Sequence, residues 1–316
     1  MRVIYGKGST RIELTPSALE LSWSSSRGQI AQTCDIRIKE APQLEAAGFL
    51  MLFAKDLNER DQFFHGTIIR PERDDKTLDL QANAYEIAWY LAQNDVSRPR
   101  LNGDAGKELE RIIKATGINF SCPAFGFNVK DRLPTQSYSA LYTSLTEQAY
   151  EKTGIRYFVQ AQRDKLYVLP EGGNTYVPIL RATMLEKSSA GENLEGVYTV
   201  VTVERYKGDQ QLGSVTKEDS KLIKQIGRMH KIIDAGESTD LSGIASRQLN
   251  TLSKIPKTRS ITVHHSDPGA AKIRAGWMIK ILEKDNKTTT DWIVTSCNAH
   301  WKGEEYTMDL QLERRG

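Results

Sequence analysis

Cysteine is scarce: Cys34, Cys122 and Cys297 are the only three in 316 residues, and they lie far apart. An odd, scattered set with no CxxC pair excludes a disulfide framework, so the three are expected to be small buried hydrophobes. Long apolar runs are missing as well. The longest, such as residues 48–54, fall far short of the roughly 18 to 20 residues of a membrane span, and membrane insertion is not expected. Excess charge of one sign is also lacking, with 43 Lys and Arg against 40 Asp and Glu; a net charge of +3 gives no electrostatic grip on a polyanion, so specific nucleic-acid binding is not expected either. The first eight residues have neither a sustained apolar stretch nor a small-residue cleavage site, which sets an expectation of synthesis and folding in the cytoplasm. What is present is an ordinary globular mixture, 39% hydrophobic and 26% charged. The length is about twice that of a usual domain and calls for two or more.

Alternation dominates the first stretch. In Arg11 to Leu14, Leu19 to Trp23, Cys34 to Lys39 and Thr77 to Ala84, apolar side chains recur at every second position, the period of a strand with one buried face. Turn-prone segments at 15–17, 24–28, 55–58 and 72–75 separate them, a pattern of small antiparallel barrels or sandwiches. The period changes near Ala84, where Tyr85 to Leu91 reads as a brief helical turn. Helices are predicted over Lys107 to Thr116, ended by Gly117, and over Ser137 to Lys152, with Gly154 after it. Strands Tyr157 to Gln160 and Leu166 to Leu169 complete a small α/β module. The β-branched run Val197 to Val203 is the clearest single strand. Two further helices are predicted, Lys217 to Ile233 and Asp240 to Ser253. Strands return at Ser260 to His264, Gly276 to Leu282, Trp292 to Ala299 and Tyr306 to Leu312.

The two β regions repeat one another. Ala47-Gly48-Phe49 matches Ala275-Gly276-Trp277, Lys55-Asp56 matches Lys284-Asp285, the aromatic-led Phe63 to Ile69 matches Trp292 to Ser296, and Thr77-Leu78-Asp79-Leu80-Gln81 matches Thr307-Met308-Asp309-Leu310-Gln311. The offset stays between 228 and 230 residues across all anchors, so strand order and turn length are preserved together. Two unrelated small barrels would also share the alternation, a turn with a Lys-Asp pair and a Gly at a strand start; the common offset favours two related barrels.

Leu21-Ser22-Trp23 through Arg27, Asp61 to Gly66, Ala84 to Leu91, and in the second half Ala275-Gly276-Trp277, Trp292 to Cys297, His300 and Gly303 to Leu310, together resemble the baseplate hub proteins of contractile phage tails, including their defective-prophage and late-control-protein-D-like members. The resemblance covers nearly the whole chain through loose patterns. It implies a mainly β fold with α+β parts: two related small antiparallel β-barrels of tube type at 1–95 and at 191–216 with 256–316, an intervening α/β module at 96–190, and a helical insertion at 217–255. It also implies a homotrimer whose six barrels form a pseudo-hexameric ring joining the six-fold tail tube protein to the three-fold spike protein, touching other baseplate and tail-tip proteins. Such a part is made in the host bacterial cytoplasm and resides in the baseplate of a virion, prophage particle or contractile bacteriocin.

Chemistry is harder to find. The histidines are His65, His230, His264, His265 and His300. Cys297 and His300 have the spacing of a zinc pair, but on an extended strand they point to opposite faces, as do the adjacent His264 and His265. No G-x-S-x-G elbow occurs. Gly6-Lys7-Gly8-Ser9-Thr10 lacks the first glycine and the spacing of a phosphate loop and reads as an exposed N-terminal turn. Asp74-Asp75 and Glu304-Glu305 sit in predicted turns, where solvated charge is the default, although a wall hydrolase would need two carboxylates across a cleft. Trp23, Trp89, Trp277, Trp292 and Trp301 read as core, with carbohydrate stacking the alternative. The expectation is therefore a non-enzymatic structural protein with no catalytic, cofactor or metal residues to name, against a tail-tip cell-wall hydrolase or a glycan-binding tail module.

Overall fold

The computed structural model describes residues 1–39, 44–58, 60–182, 185–236, 238–264, 268–283, 287–303 and 305–314. The first seven strands are β1 (Arg2–Lys7), β2 (Thr10–Glu13), β3 (Ala18–Ser26), β4 (Thr33–Ile38), β5 (Phe49–Phe53), β6 (Gln62–Arg73) and β7 (Leu80–Glu86), and burial alternates along β3, β4, β6 and β7. In β3 and β4, Leu21, Trp23, Cys34, Ile36 and Ile38 are buried while their neighbours are half-buried or exposed, as one solvated sheet face requires. β1 was not legible in the sequence, since Val3-Ile4-Tyr5 is too short an apolar run to signal a strand. Gly8 and Ser9 form the exposed β1–β2 hairpin turn, in keeping with the expected N-terminal turn. β7 starts only at Leu80, because Thr77 to Asp79 belong to the turn that Asp74 organises by accepting hydrogen bonds from the amides of Lys76 and Thr77, both at 2.8 Å.

A short helical passage through α1 (Tyr90–Gln93) leads to the middle of the chain: β8 (Asp95–Val96), β9 (Arg100–Asp104), α2 (Ala105–Lys114), β10 (Asn119–Ser121), β11 (Asn128–Arg132), β12 (Gln136–Ser137), α3 (Tyr138–Thr153), β13 (Tyr157–Gln162) and β14 (Lys165–Pro170). Asp104 caps α2, accepting from the amides of Gly106 and Lys107, and Ser137 caps α3. Gly117 and Gly154 stand at φ 86° and 77° after the two helices, in the left-handed conformation that ends helices. Leu109, Ile112, Ile113, Leu141, Leu145 and Ala149 meet Phe120, Leu166 and Val168 of the three-stranded sheet β10-β14-β13 in a separate core.

Then follow β15 (Ile179–Arg181), β16 (Leu185–Glu192), β17 (Val200–Lys207), β18 (Gln210–Glu218), α4 (Ser220–Ile226), β19 (His230–Asp234), α5 (Leu241–Leu252), β20 (Lys257–His264), β21 (Met278–Leu282), β22 (Thr289–Lys302) and β23 (Glu305–Arg314). Three expectations change here. The helix predicted over Lys217 to Ile233 is the seven-residue α4 between two strands; Gly227, at φ 89°, stops it. The run from Val197, assigned to the second barrel, lies in its own sheet, β18-β17-β19, covered by α5 through Val201, Val203, Ile233, Ile244 and Ala245. β15 and β16, placed in the α/β module by sequence, belong to the large sheet; the exposed, polar β16 carries no alternation to reveal it.

That large sheet has thirteen strands in the order β16-β20-β23-β22-β3-β4-β7-β6-β5-β1-β2, with β21 on β22 and β15 on β21. Among the described residues the pairing closes neither half into a barrel. The strand order itself is duplicated. In the first half, β3-β4-β7-β6-β5-β1 are neighbours; in the second, β16-β20-β23-β22-β21-β15 take the same places in the same chain order. Lys284-Asp285, His265 and Glu304 lie outside the described residues, so those anchors are not located.

The duplication reaches single hydrogen bonds. Ala47, at φ 63°, donates its amide to Ile68 O at 2.9 Å while Ile68 donates to Gly48 O at 2.7 Å; Gly276, at φ 89°, donates to Val294 O at 2.8 Å while Val294 donates to Trp277 O at 2.9 Å. A β-bulge follows in each long strand, at Ile69 and at Thr295, and a second pair of bulges sits at Leu19 and Glu186. These fix the equivalences: Ala47 with Gly276, Ile68 with Val294, Leu50 with Ile279, Cys34 with Arg259, Trp23 with Ala190. The sequence match is thus displaced by one residue at the first turn, and Trp292 takes the place of Gly66, not Phe63. One difference is topological. β1 runs antiparallel to β5, whereas β15 runs parallel to β21; β2 brings the chain back in the first unit, and among the described residues no strand stands between β15 and β16.

Candidate assembly interface

The two units meet where β22, beyond its bulge, pairs antiparallel with β3, from Ser296 opposite Ser26 to Trp301 opposite Leu21. β3 is suited to this place: its alternate serines keep one face small while Leu21 and Trp23 enter the core. Trp23 stacks on Tyr306 of the second unit at 5.5 Å and lies 5.1 Å from Phe63 of the first, so one indole joins both halves of a shared core.

Charged groups lock the seam. Glu86, at the end of β7, and Arg274, before the Gly276 turn, form a fully buried bidentate pair at 2.6 and 3.2 Å, and the amide of Gln32 donates to the same carboxylate at 3.2 Å. Burial raises the pKa of Glu86 above the ordinary carboxyl range, with Arg274 pulling it back. Arg27 donates its amide to Thr295 O at 2.7 Å, and its guanidinium to Glu171 at 2.7 and 3.0 Å and to Glu313 at 2.8 Å. Burial opposes that charge, but the two carboxylates hold the pKa of Arg27 above its usual value. Ala275 donates to Ser25 Oγ at 2.9 Å. The Trp277 indole donates to Gln160 Oε1 at 3.0 Å, and Asn174 bridges the backbone of Met278, which ties the middle module to the second unit. A cleft of about 400 Å³ beside the seam is lined by Arg27, Tyr142, Tyr150, Glu171 and Arg274 among others.

Among the open edges of the large sheet, two correspond to the strands of that seam. β6 beyond its bulge, Arg70 to Arg73, pairs on one side only, with β7. β16 pairs on one side only, with β20, and every residue from Glu186 to Glu192 is exposed.

The sequence candidates for chemistry are scattered. Cys297 is buried with its thiol toward Ile273 O at 3.3 Å, and burial pushes its pKa up to about 12. His300, on the other side of β22, approaches Glu20 at 3.4 Å. His65 packs edge-on to Phe49, and burial lowers its pKa. His230 meets the Thr202 hydroxyl at 2.7 Å, and His264 is exposed. No group of three or more His, Cys, Asp or Glu that could hold a metal occurs among the described residues. Cys34 and Cys122 are buried. Trp23, Trp277 and Trp292 are buried, whereas Trp89 and Trp301 are half-buried. The seam's own residues, Arg27, Glu86, Glu171 and Arg274, were missed, because a charged residue in one sequence reads as surface until its distant partner is known.

A family model described as YQBQ-like matches residues 21–313. No curated protein matches the sequence. Among solved structures, the tail protein from Neisseria meningitidis MC58 is similar at a TM-score of 0.70 and 14% identity, over 99% of this chain and 96% of that one. Prophage tail protein gp18 from Listeria monocytogenes EGD-e is similar at 0.65 and 12%, over 99% and 94%. The E. coli c3393 protein, described as a component of the type VI secretion system with structural similarity to T4 tail proteins gp27 and gp5, is similar at 0.50 and 11%, over 94% and 73%. No helix among the described residues is long and apolar enough to cross a membrane. With the family model spanning nearly all of the duplicated sheet and the module between its halves, the chain belongs to the YQBQ-like family and has the fold of phage and prophage tail proteins.

Proposed function

We propose that this protein is the structural hub of a contractile tail or tail-like particle, a homotrimer whose six strand units form a pseudo-hexameric ring between the tail tube protein and the spike protein. The observation that carries the reading is the recurrence of one six-strand unit, with the same turn and the same bulges, twice in one chain. Three such chains supply six like units around one axis, which meets a six-fold partner on one side and a three-fold partner on the other. The likeness to tail proteins supports the same role. Each unit forms a barrel-like segment of the ring, and the two inserted α/β parts sit outside it to touch other baseplate proteins. The role is non-enzymatic: the seam's buried charges are bound in structural ion pairs, which is the use a scaffold makes of them.

Light scattering on the size-exclusion peak over a range of concentrations tests the reading. A species of three chains is expected, and co-purification with neighbouring tube and spike proteins should follow. A chain that stays monomeric with those partners present refutes it. A peptidoglycan zymogram with folded protein is expected to remain blank; clearing would favour a wall hydrolase.

A further inference from the structure

The junction inside the chain has an unused counterpart at two open edges of the sheet, one in each half. β22 past Thr295 pairs with β3. In the duplicated order, β6 is the equivalent of β22 and β16 is the equivalent of β3. Both strands leave that same side open among the described residues. Each chain therefore carries one complete junction and the two separate halves of another.

We infer that β16 of one copy pairs antiparallel with the Arg70 to Arg73 edge of β6 in a second copy, in the register of the in-chain junction. The bulges define that register. Ile69 corresponds to Thr295, so Arg73 corresponds to Ala299; Glu186 corresponds to Leu19, so Ala190 corresponds to Trp23. Because Ala299 lies opposite Trp23, Arg73 lies opposite Ala190, Glu72 opposite Gly191 and Pro71 opposite Glu192. Arg73 and Glu192 then share one face as diagonal neighbours, within reach of each other.

Three features fit. The middle of β16, Ser188-Ser189-Ala190-Gly191, is made of small residues and lets a strand approach on either face. Its exposure contrasts with β3, where the equivalents Leu21 and Trp23 are buried in the core. The pairing joins different surfaces of two identical chains, so it repeats head to tail and closes into a ring when the rotation permits. Pro71 offers no amide, and β6 turns away at Asp74, so this ladder is shorter than the in-chain one. A proline on an edge also discourages strands that lack the rest of the match.

The inference supplies the contact between copies for the hub reading and rests on it for the ring size alone. The test is the full chain carrying Arg73→Cys and Ala190→Cys, oxidised and run on a non-reducing gel, with light scattering of the same preparation. Disulfide-linked chains are expected with three as the largest product, and neither single variant should cross-link, since a head-to-tail contact never brings two copies of one position together. Moving the second cysteine two residues, as Arg73→Cys with Ser188→Cys, is expected to lower the yield about fivefold or more, since Cα atoms beyond about 7 Å do not bridge. A three-chain species that shows no cross-link overturns the junction and leaves the hub reading standing. Cross-linked chains longer than three uphold the junction and overturn the trimer. A monomer without cross-links at every concentration overturns the junction.

Discussion

The two halves of the large sheet share strand order, two bulges and one turn, yet they differ in nearly every side chain. Trp23, buried in β3, stands where exposed Ala190 stands in β16. Ala47 holds the left-handed turn position in one unit and Gly276 in the other. The first unit passes from β3 to β4 by a short turn at 27–32, whereas the second inserts β17 to α5 between β16 and β20. The backbone pattern is therefore the common object, and each side chain answers to what covers it. β3 is covered by β22 within the chain; β16 is left open.

The sharpest way to break that comparison is at the paired positions of β3 and β16. Trp23→Ala should destabilise by about 3–5 kcal/mol, the usual cost of emptying a large buried aromatic site, whereas Ala190→Ser should stay within about 0.5 kcal/mol. Urea unfolding followed by tryptophan fluorescence reads both, and equal effects would deny that the two strands differ in burial. The seam comes next. Arg274→Ala strands the buried Glu86 carboxylate and is expected to cost about 3–5 kcal/mol, but the double variant with Glu86→Gln should recover part of the loss, because the uncompensated charge is then gone.

The turn sharpens the comparison further. A Cβ added at Gly276 would lie 2.3 Å from the Phe158 ring at φ 89°, so Gly276→Ala should cost about 2–4 kcal/mol from left-handed strain and overpacking together. Ala47→Gly at the equivalent position should instead stabilise or be neutral within about 1 kcal/mol. A calorimetric scan that moved both melting temperatures downward by the same amount would contradict the equivalence. The smallest effect concerns the thiols. Burial raises the pKa of Cys34 and Cys122 well above the usual range and that of Cys297 to about 12, so an aromatic disulfide reagent at pH 8 should label none in the folded protein and all three after unfolding. Rapid labelling of Cys297 alone would mean that the second unit opens while the first stays closed.

Much of this was legible in the sequence for plain reasons. Period-two burial announced β3, β4, β22 and β23, glycine-ended stripes announced α2 and α3, and an apolar stripe announced α5. The duplication was visible through its approximate offset, although the connections differ in length, Ala47 to Ile68 being 21 residues and Gly276 to Val294 being 18. Other elements were silent. β1 is one short apolar run, β16 is polar on both faces, and α4 ends early at a glycine whose backbone conformation the sequence does not display.

What the sequence determined by itself is local: which segments alternate, which helices are capped, and that two stretches share a plan. Tertiary structure alone decided that the two plans join into one sheet through β3 and β22, that Val200 to Lys207 leaves that sheet for its own, and that Glu86 meets Arg274. These are pairings between residues far apart in the chain, and a charge or a strand edge carries no mark of its partner until folding brings the two together.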